Sequence, residues 1–234
     1  MKKRLPFPLL LFLFSFLFLN AQRSSEAGIF IGASNYMGDL SPSPLAANET
    51  HLAFGGHYRY MAGPKLGLKG SVSFGKISGS DSNIPLEDPT QGARRWDMEA
   101  GLMEVALQAE WHFLGTPRYN NAGLYTRQAS PFLSAGLGLA FAEAKITTAD
   151  GDKVRFPEPD DKSAFIVLPL SAGVRFDITE SILLAGEFGV RATFSDYLDG
   201  LSEYANPKHN DYYLFGGITI LYLIDAEFAP AYRY

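Results

Sequence analysis

The chain has 234 residues, no cysteine and a formal net charge of −5, with 19% charged residues, 14% aromatic residues and 23 glycines. The absence of cysteine excludes disulfides, thiolate metal sites and a lipid-anchored N-terminal Cys, and the acidic balance argues against nucleic acid as a partner. Length suits one or two domains, but no Pro/Gly/Ser linker divides the chain, so one is expected.

Lys2, Lys3 and Arg4 precede an apolar run over residues 9–19 interrupted only by Ser15, and Asn20-Ala21-Gln22 offers a small-residue cleavage point. This pattern predicts a secretory signal peptide over residues 1–21, leaving 22–234 as the mature domain. As a membrane-spanning helix it is short, because residues 5–19 give 15 positions interrupted by Pro6 and Pro8, against the ~18 or more such a helix requires. Cleavage would remove three of the 20 Lys+Arg and none of the 25 Asp+Glu, leaving a net charge of −8.

The mature sequence then repeats one pattern eight times: segments of roughly ten residues in which apolar positions alternate with small, polar or charged ones. The first segment, 26–35, sets Ala27, Ile29, Ile31 and Ala33 against Gly28, Gly32 and Ser34. In the second, 51–60, Leu52, Phe54, Tyr58 and Tyr60 oppose His51, Ala53, Gly55, His57 and Arg59. The third, 65–77, opposes Leu66, Leu68, Val72 and Phe74 to Lys65, Gly67, Lys69, Ser71 and Ser73. The fourth, 99–113, opposes Met103, Val105, Leu107, Ala109, Trp111 and Phe113 to Glu104, Ala106, Gln108, Glu110 and His112.

In the fifth segment, 132–141, the polar face is reduced to Ser134, Gly136, Gly138 and Ala140, which suggests a narrow interior. The sixth, 164–176, contains Pro169, which removes a ladder donor and predicts a bulge or distorted pairing. The seventh, 183–197, sets Leu184, Phe188, Val190, Ala192 and Phe194 against Ala185, Glu187, Gly189, Arg191 and Thr193. The eighth, 212–224, is apolar on both faces, and its register is left open.

A soluble sandwich would bury its apolar face against a second sheet, whereas here the opposite face mixes small residues with full charges. Lipid outside and polar groups inside fit better, so the expected fold is an all-β, eight-stranded antiparallel transmembrane up-and-down β-barrel of the bacterial outer membrane.

An even strand count puts both termini on the periplasmic side, where turns are short. Connections 62–64 and 177–181 obey this, and the alternate connections 36–50, 78–95, 143–163 and 198–211 are long and polar. Connection 114–130 breaks the rule, being long on the side that should be short. Aromatic residues fall at both strand ends: Tyr58/Tyr60, Trp111/Phe113, Phe176 and Tyr222 at the proposed periplasmic rim, and Tyr36, Phe74, Phe141 and Phe194/Tyr197 at the outer rim. Two interfacial girdles are expected.

The inward charges Arg59, Lys65, Lys69, Glu104, Glu110, Arg175, Glu187 and Arg191, with His57 and His112 nearby, read as an ion-pair network filling the lumen, since eight strands leave room for little more than side chains. A metal site from His57, His112, Glu104 and Glu110 lacks a close-spaced ligand pair. Asp150-Gly151-Asp152 with Glu158, Asp160 and Asp161 fails the EF-hand pattern, because Val154 takes position five and the central glycine is displaced. Gly136-Leu137-Gly138 lacks a third dinucleotide-loop glycine, and Gly75-Lys76 is followed by Ile77, so neither cradles phosphate. No Gly-x-Ser-x-Gly elbow occurs, and His209 beside Asp211, with Ser195 and Ser202, has no triad-like spacing. No enzyme, cofactor, metal or small-molecule substrate is expected.

Asn35-Tyr36-Met37-Gly38-Asp39-Leu40, His57-Tyr58-Arg59-Tyr60, Gly75-Lys76-Ile77-Ser78-Gly79-Ser80-Asp81 and Phe194-Ser195-Asp196-Tyr197-Leu198-Asp199 together resemble the PorG-like outer-membrane barrels of Bacteroidetes, over almost the whole mature chain. The resemblance implies a component of the type IX secretion system, associated with a periplasmic ring and not enzymatic, and it carries no active-site residues. The residues themselves suggest a partner surface on connection 114–130, through Arg118, Tyr119, Tyr125 and Arg127, and on the tail through Tyr232, Arg233 and Tyr234, since Tyr and Arg are common interface anchors. The alternative is a stand-alone OmpA-like barrel with structural or adhesive duties carried by its long outer loops.

Overall fold

The computed structural model describes residues 23–37, 49–80, 97–120, 122–147, 153–154, 164–193 and 212–226. The leader, the acidic stretch 150–152 with 158–161, His209 and Asp211, Phe194 and Tyr197, and the tail residues Tyr232, Arg233 and Tyr234 lie outside them.

The described strands are β1 (Ser24–Met37), β2 (His51–Met61), β3 (Leu66–Ser80), β4 (Asp97–Trp111), β5 (Ala129–Thr147), β6 (Lys153–Val154), β7 (Ala164–Asp177), β8 (Ile182–Thr193) and β9 (Tyr212–Ala226). Eight of them correspond to the eight alternating segments. Each pairs antiparallel with its neighbour in the order β4-β3-β2-β1-β9-β8-β7-β5, and a β4–β5 ladder closes the sheet into a barrel. The two-residue β6 pairs with the outer end of β5, at Ile146 and Thr147. Closure removes every sheet edge from the wall, as a bilayer demands of backbone N–H and C=O groups.

Alternation sets the two faces. Ile29 is 68% exposed and Leu52 72%, together with Phe54, Leu107, Leu137, Ile166 and Ile220, so large apolar side chains cover the outside. Arg59, Lys69, Glu104, Gln108 and Glu110 are buried inside. In β9, where the sequence leaves register open, Ile218, Ile220, Tyr222 and Ile224 face out while Tyr213, Phe215, Thr219 and Leu221 are buried.

The lumen is packed in layers. Toward the outer end Tyr36, Ile77, Leu102, Ala142, Phe165, Val167 and Tyr213 form an apolar cluster, and Leu183, Ala185 and Leu221 form a smaller one near the opposite end. Tyr36 is thus a correction to the expected outer girdle. It shares the parity of Ser34, points inward and is 0% exposed. Phe74 and Phe141 do face outward, and Phe54 stacks on Phe74 at 5.5 Å on that side. At the other rim Tyr58, Tyr60, Trp111, Phe113, Phe176 and Tyr222 are all exposed.

Pro169 produces no register shift. Its ladder with β8 is continuous through Pro169↔Arg191, whereas on the β5 side pairing stops at Ala135↔Leu170 and resumes at Gly138↔Val167 in the same register. The missing N–H costs local hydrogen bonds without forcing an extra residue into the strand. The register shift that does occur lies between Ser25 and Glu26, opposite β9.

Candidate functional site

Six strands contribute to one chain of alternating charges inside the barrel. Arg175 on β7 donates to Glu26 on β1 (Nη1 to Oε1, 2.9 Å), and the other Glu26 oxygen lies 3.3 Å from Arg59 Nη1 on β2. Arg59 grips Glu110 on β4 with two parallel bonds, Nε to Oε2 at 2.5 Å and Nη2 to Oε1 at 3.1 Å. Lys69 on β3 lies 3.7 Å from Glu110 and binds both oxygens of Glu187 on β8 at 2.6 Å. Three cations and three carboxylates therefore alternate across the lumen, and Phe132 covers the Arg59 guanidinium at 5.5 Å.

Nearer the outer end, Arg191 Nε sits 3.3 Å from Glu104, which also accepts the Tyr213 hydroxyl at 2.6 Å. Gln108 donates to Ser134 and Ser171 between the two groups. The charged side chains of both groups are 8% exposed or less. Buried ions require this mutual compensation, because each alone would cost several kcal/mol of desolvation.

The structure brings together Arg59, Lys69, Glu104, Glu110, Arg175, Glu187 and Arg191 in these two groups. Lys65 is a correction, since it is exposed at the β2–β3 turn and does not enter the lumen. Glu26 and Tyr213 escape the sequence reading. Glu26 stands two residues before the inward Gly28, so parity alone places it inside. Tyr213 belongs to the strand whose two faces are equally apolar. His57 stacks on Phe30 at 5.5 Å, and His112 lies 3.4 Å from Glu110 and 3.0 Å from Ser130 Oγ. Among the described residues no group of three His, Cys, Asp or Glu is placed to hold a metal ion.

The connection between β4 and β5 is folded. Residues 118–120 and 122–126 form a small hairpin closed by a Tyr119↔Tyr125 bridge, with Thr126 N donating to Arg118 O. Asn120 Oδ1 accepts from Ala122 N and Leu124 N, and Gly123 supplies the positive φ of 74° that the turn needs. The connection as a whole reaches two other turns. Arg118 Nε donates to Asp177 at 2.9 Å and Nη2 to Glu180 O at 3.0 Å, while Tyr125 OH donates to Thr179 O at 3.0 Å. On the other side Gly115 presses on the β2–β3 turn so closely that a Cβ there would lie 1.8 Å from Pro64 O.

In the ring of eight strands the β2–β3 and β7–β8 turns stand opposite one another. The β4–β5 connection sits between them on the rim, and its residues Thr116, Pro117, Arg118 and Tyr119 line one small cavity with Arg23 and Ser24 at the start of β1 on the far side of the ring, so it reaches over the mouth of the barrel. Of the partner residues expected on this connection, Arg118 is 7% exposed and spent on Asp177, Tyr119 is buried, Tyr125 is half-buried, and Arg127 is exposed. Burial opposes the Arg118 cation, but the Asp177 carboxylate outweighs it and raises the guanidinium pKa further. Burial also raises the Tyr119 and Tyr125 phenols, so both stay protonated.

Closure, an apolar exterior that water could not solvate, aromatic side chains at the rims and an ion-paired interior define an outer-membrane β-barrel. Such barrels keep both termini and their short turns in the periplasm, so the capped mouth is the periplasmic one. Residues 3–232 match the family described as Domain of unknown function (DUF6089), and the chain belongs to that family. A search of the curated proteins finds no match. Among solved structures it is similar to Ail, the attachment invasion locus protein of Yersinia pestis, crystallised with the heparin analogue sucrose octasulfate (13% identity, 88% of this chain and 99% of that one, TM-score 0.43). It is also similar to Neisserial surface protein A (11%, 86% and 96%, 0.41) and to OprG of Pseudomonas aeruginosa (10%, 89% and 97%, 0.40).

Proposed function

We propose that this barrel is a non-enzymatic outer-membrane component of a protein secretion machine of the type IX kind, anchoring or organising periplasmic ring partners, with residues 1–21 removed as its leader. The observation that carries the reading is the folded cap. A long connection stands on the side where barrels of this class keep short turns, and it is built into a defined hairpin held by the buried Arg118–Asp177 ion pair and by the Tyr125–Thr179 hydrogen bond rather than left as a loop. The ion-paired, side-chain-filled interior supports a scaffold rather than a conduit. The motif resemblance in β1, β2, β3 and the region after β8 supplies the type of machine.

Deletion of the gene is expected to trap sorting-domain cargo in the periplasm while the outer membrane stays intact. Normal secretion in the deletion strain would refute the machine role. It would leave the stand-alone structural or adhesive barrel, a reading favoured by the length of the outer connections.

A further inference from the structure

The cap has two kinds of residue, and they divide the expected partner surface. Arg118, Tyr119, Tyr125 and Gly115 face the barrel and hold the hairpin down. Leu124, at the turn, is 64% exposed, and Arg127, three residues on, is exposed as well. The cap faces Arg23 and Ser24 across the barrel mouth, so its outer side looks along the barrel axis into the periplasm and away from the lipid that surrounds the wall. An apolar side chain held there by a rigid turn has no bilayer to enter.

Among the described side chains, the charge of this end runs against that of the molecule. The chain as a whole carries −5, yet the side chains described at the periplasmic end include Arg23, Lys65, Arg118 and Arg127 against Asp177 and Glu180. Asp177 is buried and consumed by Arg118, which among the described side chains leaves Lys65 and Arg127 exposed and Arg23 half-buried against the one exposed carboxylate of Glu180. Complementary potential is what steers and orients association between proteins.

We propose that the outer side of the cap, centred on Leu124 and Arg127 with Lys65 at its edge, is the docking surface for a periplasmic protein that offers an apolar socket rimmed by Asp and Glu. This rests on the scaffold reading above and adds the place and the chemistry of contact. The latch serves the same end: a hairpin already fixed by Arg118 and Tyr125 loses little conformational freedom on binding. Arg118 and Tyr119 act as positioning residues and do not touch the partner.

The test is photo-crosslinking in living cells, with a photoreactive amino acid in place of Leu124 in the full-length protein and, as a control, in place of the lipid-facing Leu137. Position 124 is expected to give a discrete adduct whose partner peptide, mapped by mass spectrometry, contains Asp or Glu. Arg127→Glu should reduce that adduct roughly fivefold to tenfold, the change of about 1 kcal/mol or more expected of a reversed rim charge, while Arg127→Lys preserves it. Heat-modifiable migration of each variant verifies that the barrel has folded. Adducts to lipid alone, no adduct at 124, or an adduct indifferent to Arg127→Glu would each overturn the docking surface. If such a failure accompanies blocked export in the deletion strain, the scaffold reading stands and only the surface is wrong. A charge-dependent adduct with normal export separates the two the other way.

Discussion

Arg59 sits at the centre of the interior chain, with bidentate bonds to Glu110, a second carboxylate at Glu26 and an aromatic ring across its face. Removing it leaves two carboxylates buried with too little positive charge. Arg59→Ala should therefore destabilise the barrel by about 3–5 kcal/mol, read from urea-induced unfolding in lipid vesicles. Arg59→Lys should fall between, since it keeps the charge and loses the planar fork. If Arg59→Ala unfolds at the wild-type urea concentration, the lumen is wet at that level and the network is not the interior scaffold. At this scale parity in the sequence is a reliable guide: it places Arg59, Glu110 and Glu187 correctly, extends to Glu26, and puts Tyr36 inside once its separation from Ser34 is counted. It misleads at Lys65, because the strand begins one residue later, at Leu66.

The cap shows the limit of local pattern at the level of the element. Length marks the 114–130 connection as exceptional, but its latch joins Arg118 to Asp177 across a wide stretch of sequence, and no periodicity encodes such a contact. Arg118→Ala should release the hairpin without opening the barrel. Limited trypsin digestion of the folded protein should then cut at Arg127 sooner than in the wild type, with heat-modifiable migration unchanged. Gly115→Ala should act in the same way, because its methyl group would collide with the backbone of the β2–β3 turn. Equal digestion rates in all three proteins would mean that the cap is not latched. Strands are most legible where one face is charged, as in β2, β3 and β4. The least legible is β9, where Phe215 and Leu221 fill the lumen while Ile218 and Ile220 meet lipid. Hydrophobicity alone cannot distinguish a protein core from a bilayer.

For the whole molecule, the exterior and the interior invert the arrangement of a soluble protein. Leu137→Arg, at the middle of the outer wall, should cost about 2–4 kcal/mol in vesicles, although an arginine on the inner face is a stabilising partner. The wall, the packed interior and the capped mouth together imply one orientation in the outer membrane. The chain contains no cysteine, so single cysteines introduced at exposed positions report that orientation directly. The decisive measurement is labelling of the Asp97→Cys variant, at the outer end of β4, and of the Leu124→Cys variant, on the cap, with a membrane-impermeant maleimide in intact and in permeabilised cells. The thiol at position 97 should react in intact cells, and the thiol at position 124 only after the outer membrane is breached. Labelling of position 124 from outside intact cells would contradict the orientation and, with it, the periplasmic role of the cap.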